Sequence, residues 1–98
     1  MFEVVCRMGF KVKCTRERYL HIITRHPEIL EMEKELKEAL EDPDFVKAST
    51  YDKSVLLFYK SAGKEYIVVV AKNLGKEGFV ITAYITDFVK EGEMVWKK

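Results

Sequence analysis

From Thr15 onward the hydrophobic period of this chain changes once, at Asp42-Pro43-Asp44, and that change limits the folds open to it. Before it, apolar residues recur at spacings of three and four; after it, they alternate. Ile29, Met32, Leu36, Ala39 and Leu40 form one stripe, with Glu33, Lys37, Glu38 and Glu41 facing outward. Such a stripe buries one side of a helix. The Asp-Pro-Asp break then stops it. Beyond the break, residues 45–49, 54–60, 65–72 and 79–86 read as strands, with a last short one at 94–97. Ser61-Ala62-Gly63-Lys64 and Asn73-Leu74-Gly75-Lys76-Glu77-Gly78 are turn chemistry between strands. Short connections of that kind join antiparallel neighbours.

Ahead of the stripe, residues 2–14 alternate on either side of Gly9 and predict a small hairpin. Thr15 suits an N-cap, and Tyr19, Leu20, Ile22 and Ile23 carry a first helix to about Arg25. Pro27 suits the first turn of a second helix, where Glu28 and Glu31 favour the positive dipole end. The predicted fold is therefore α+β: two N-terminal helices packed on one face of an antiparallel sheet of about four strands, with a short N-terminal β-hairpin. No repeat or flexible linker divides the chain, so residues 1–98 read as one domain.

Composition excludes several classes. The chain has 98 residues, 48% hydrophobic and 34% charged, which marks a globular domain rather than a disordered tail. Seventeen Lys and Arg against sixteen Asp and Glu leave a formal charge of +1, so a polyanion must be held by a local basic patch. No apolar run approaches the roughly 18 residues that span a bilayer. The N-terminal residues carry an early acid and no long apolar stretch, so no membrane partner is expected and a cytoplasmic location is. Cys6 and Cys14 read as small core residues. There is no CxxC, HExxH, P-loop or GxGxxG, so neither metal nor cofactor is expected.

Two segments carry possible chemistry. In the last long strand, Phe79, Ile81, Ala83 and Ile85 are expected against the helices, and Val80, Thr82, Tyr84 and Thr86 on the other face. That second set contains three hydroxyls in a row; the plain alternative is a solvated sheet face. The other segment holds both histidines of the chain. His21 and Arg25, four apart, share a helix face, and His26 follows at the junction before Pro27. Imidazole suits proton transfer near neutral pH, and guanidinium offers a planar fork for phosphate oxygens. The alternative is structural: a histidine before proline caps a helix, and a His–Arg pair sits on a surface.

Arg25-His26-Pro27-Glu28 after a short helix, a second helix ending at Asp42-Pro43-Asp44, and Thr82-Ala83-Tyr84 late in the sheet stand in a familiar order. Together with the tail Lys90-Glu91-Gly92-Glu93-Met94-Val95-Trp96, they resemble the barnase–EndoU–colicin–RelE-like nuclease superfamily (the BECR fold), in its small phage- and mobile-element-associated branches. The similarity covers roughly residues 15–97. It implies a metal-independent endoribonuclease, in which the ribose 2′-hydroxyl attacks the adjacent phosphate. It implies His21 and His26 as the acid and base in either order, Arg25 on the phosphate, Thr82 on a phosphate oxygen, and Tyr84 on phosphate or a base. Lys72 and Thr86 are implied as further substrate contacts. RNA is the implied partner, with an antitoxin or immunity protein in a toxin-type module. A non-catalytic RNA- or protein-binding module on the same fold is the alternative. An interaction protein that forms a homodimer through the sheet edge is a third.

Overall fold

The structure, a computed structural model, describes all of residues 1–98. Strands β1 (Phe2–Val5) and β2 (Lys11–Cys14) form the hairpin. Helix α1 (Arg16–Arg25) starts where the Thr15 hydroxyl accepts the Arg18 N–H at 3.1 Å. It ends at His26, whose backbone is drawn out of the helical region by the adjoining Pro27. Helix α2 (Glu33–Glu41) leads into β3 (Phe45–Ser49), β4 (Val55–Ala62), β5 (Glu65–Asn73), β6 (Glu77–Thr86) and β7 (Gly92–Lys97). No helix is long and apolar enough to cross a membrane.

The sheet corrects the expected fold class. It has seven strands in the order β1-β2-β6-β5-β4-β3-β7, and it is mixed rather than antiparallel. Strands β3 to β6 are consecutive antiparallel neighbours at its centre. The hairpin is not an appendage: β2 joins β6 in a short parallel ladder, Lys11 to Lys13 against Glu77 to Phe79. On the far side, β7 pairs antiparallel with β3. Gly78 lets β6 lie close to β5 and to the Phe10 ring just ahead of β2. A β-carbon there would collide with the Lys72 carbonyl and the Phe10 ring.

The second helix also starts later than expected. Pro27–Ile29 closes a single 3-10 turn, and Leu30 is extended. Glu31 then adopts φ 62°, a costly conformation for a non-glycine residue, and its N–H donates to the Tyr19 hydroxyl at 3.0 Å. Proline suits the first position of either helix type, so its presence alone does not set the length of the helix it opens.

The helices and one face of the sheet enclose the main core, which includes Val12, Ile22, Ile29, Leu36, Leu40, Phe58 and Val69. A smaller cluster of Leu57, Tyr59, Val68 and Val70 lies on the opposite face. Residues 87–91 cover that face as they cross from β6 to β7, with Val89 packed on the cluster. Central β5 is therefore covered on both sides, and Ile67 to Ala71 are all buried.

A bulge corrects the expected facing of β6. Val70 pairs with Thr82, but Ala71 pairs with Val80, so Ile81 is the extra residue. One inserted residue inverts the alternation behind it. Val80 joins Ala83 and Ile85 on the helix side, Ile81 packs on the smaller cluster, and Phe79 is exposed.

Gly78→Ala tests this close packing. It is expected to lower unfolding stability by about 1–3 kcal/mol in urea melts. Unchanged stability would contradict the close approach of the Lys72 carbonyl and the Phe10 ring to Gly78.

Candidate functional site

The α1 sequence places Arg18, His21, Ile22 and Arg25 on one helix face, at spacings of three and four. Ile22 is buried and anchors that face to the sheet. The polar residues beside it border a cleft of about 360 Å³, completed by His26, Ile81 and Thr82. Residues from the helical segment and from β6, far apart in sequence, thus share one opening. His21, Arg25, His26 and Thr82 all line it.

His26 is held from two sides. Its ring centroid lies 5.6 Å from that of Tyr84, in a tilted contact. Its Nδ1 faces a Glu28 carboxylate oxygen at 3.5 Å. The same oxygen accepts the Ile85 backbone N–H at 3.4 Å. The 3.5 Å contact is long for a hydrogen bond, so the carboxylate acts on the ring as a neighbouring charge, itself tethered to β6 through Ile85. A carboxylate at Nδ1 leaves Nε2 as the atom free to exchange a proton. His21 is exposed on the helix.

Tyr84 does not line this cleft and reaches it only through the contact of its ring with His26. The hydroxyl is buried without a hydrogen-bond partner. Burial, and secondarily the neighbouring Tyr59, pushes its pKa up to about 12. The Lys90 ammonium lies 5.7 Å from the ring centroid, within the range of a cation–π contact. Tyr84 therefore supports His26 from below and stays neutral at physiological pH.

Lys72 and Thr86 do not line this cleft. The Lys72 ammonium donates to Asp52 Oδ2 at 2.6 Å. That bond, with those from Ser54, holds the Asp52 carboxyl well below the usual carboxylate range. Thr86 Oγ1 accepts the Phe88 N–H at 3.0 Å and turns the chain out of β6. Both are thus occupied within the fold.

Sequence reasoning missed Arg18, and it named Glu28 only as an acid of the Pro27 turn and a member of the Arg25-His26-Pro27-Glu28 segment. Arg18 stands one turn before His21 on the same face, and Glu28 stands two residues after His26, so both signals were local. Cys6 and Cys14 are buried and unbridged, and burial pushes the Cys14 thiol up to about 11. No three His, Cys, Asp or Glu side chains gather as a metal site. Comparison of the chain with protein-family models, curated proteins and solved structures finds no match.

Tyr84→Phe tests the burial of the hydroxyl. Folding raises this pKa from 10.0 to about 12, so the neutral form is favoured in the native state. The resulting stability is complete below pH 10 and is lost as pH rises through about 12. The variant removes an unpaired buried group, so its Tm at neutral pH is expected to be equal or higher. Its stability should also fall less steeply on the alkaline side. A large loss at neutral pH would show that the hydroxyl has a partner.

Proposed function

We propose that the α1–β6 cleft cleaves RNA without a metal ion. The reading is carried by one observation: both histidines, two arginines and Thr82 line the same opening. The resemblance of the Arg25-His26-Pro27-Glu28 and Thr82-Ala83-Tyr84 segments to BECR-type nucleases supports it from the side of sequence.

In this mechanism a phosphodiester sits between the helix face and Thr82. One imidazole takes the proton from the ribose 2′-hydroxyl. The 2′-oxygen forms a bond to phosphorus as the bond to the 5′-oxygen breaks. The other imidazole protonates that departing oxygen. The products are a 2′,3′-cyclic phosphate and a free 5′-hydroxyl. Arg25 and Arg18 neutralise the charge that gathers on the non-bridging oxygens, and Thr82 donates a hydrogen bond to one of them. Glu28 and Tyr84 act on His26 alone and are positioning residues.

The assay is incubation of the pure protein with RNA in excess chelator. Cleavage is expected to persist and to leave cyclic phosphate ends. His26→Ala should lower the rate about 10²- to 10⁴-fold, the usual worth of a general acid or base. Glu28→Gln should lower it less while leaving RNA affinity unchanged. RNA binding without turnover, indifferent to His21→Ala and His26→Ala, would replace this reading with a non-catalytic binding module.

A further inference from the structure

On the face opposite the helices, a second cleft of about 360 Å³ lies under the crossing segment 87–91. Val55, Leu57 and Val70 form its floor, and Thr82 is a wall common to both clefts. Two aromatic residues stand at its rim from separate segments. Tyr51, in the β3–β4 connection, is 98% exposed, and Phe88, in the crossing segment, is 64% exposed.

Neither ring is exposed because its backbone is loose. The Tyr51 N–H donates to Ser49 Oγ at 3.2 Å. Asp52 Oδ1 accepts the Ser54 N–H and hydroxyl, while its other oxygen takes the Lys72 ammonium. On the other wall, Thr86 holds the Phe88 N–H, and the Lys90 N–H donates to the Tyr59 hydroxyl at 3.1 Å. Both chain segments are pinned while their aromatic rings stand in water. A fixed backbone under an exposed ring lowers the entropy cost of stacking on a flat partner.

Resting on the reading of the α1–β6 cleft as an RNA site, we infer that this second cleft receives bases of the same strand, stacked on Tyr51 and Phe88. The occupant is single-stranded RNA. A strand whose phosphate lies at Thr82 has its neighbouring nucleotide at the entrance to an apolar hollow rimmed by two aromatic rings. Stacking on such platforms tolerates any base, because every base has a π-face. Lys90 and Glu91, also in the lining, offer a donor and an acceptor to base edges. Duplex bases are already stacked and cannot enter.

The test is fluorescence anisotropy with a labelled, mixed-sequence RNA octamer carrying 2′-O-methyl groups, which binds but cannot be cleaved. Tyr51→Ala and Phe88→Ala are each expected to weaken binding about tenfold, in line with the loss of one stacked base. Tyr51→Phe should match the wild type, as should Leu74→Ala, an exposed side chain that lines neither cleft. The same octamer in a duplex should bind more weakly and lose nothing further in the two alanine variants. Equal binding by wild type and both alanine variants overturns the inference, and so does a wild type that does not bind the octamer. Cleavage of unmodified RNA, run in parallel, separates the two readings. Turnover dependent on His26, with binding indifferent to the aromatics, sinks the base subsite alone. Aromatic-dependent binding without turnover supports the subsite and sinks the nuclease reading.

Discussion

The cover over the free edge of β6 is the contact on which the rest of the molecule depends. Strand β2 pairs with β6 only from Glu77 to Phe79, so the later residues of β6 have β5 on one side and no strand on the other. An open edge of this kind must be covered or left to pair with another chain. The end of α1 and the Pro27 turn provide the cover. Ile22 and Ile29 are fully buried there, and each contributes about 1.5–3 kcal/mol of burial. Glu28 answers one of the edge N–H groups. The element that closes the sheet is also the element that carries the histidines, so folding and the cleft share one set of contacts.

The second dependence is the crossing segment. It leaves β6 and crosses to β7, four positions away in the sheet, over the smaller cluster. Val89 anchors it there. The same crossing places Phe88 at the rim of the second cleft and brings Lys90 to the Tyr84 ring.

Much of the local structure is legible in the residues themselves. Thr15 and the spacing of Tyr19, Ile22 and Ile23 mark α1, and alternation marks the strands, because each rests on neighbours in sequence. The parallel partnership of β2 with β6 is not legible, since it uses three residue pairs from opposite ends of the chain. Nor is the bulge at Ile81, because residues 79 to 86 alternate without a break and all suit a strand. The length of the turn after Pro27 is set by Tyr19 binding Glu31, a tertiary contact. In the cleft, the spacing of His21, Arg25 and His26 is visible in the sequence, and Thr82 is found from its face of β6. The burial of Tyr84 depends on the smaller cluster around Tyr59, so no pattern local to β6 could specify it.

Two-sided burial of β5 has a consequence for how the chain is made. Ile67 to Ala71 form a continuous apolar run with strong strand preference. One side is covered by helices that precede it in the chain; over the other, the crossing residue Val89 comes later. A nascent chain that has reached β6 has its α1 and α2 in hand but still shows the second side of that run to its surroundings. Only emergence of the crossing segment hides it. The interval between those two moments is when this protein is most open to association with other unfinished chains, and a stall or cut within residues 87–91 would make that interval permanent.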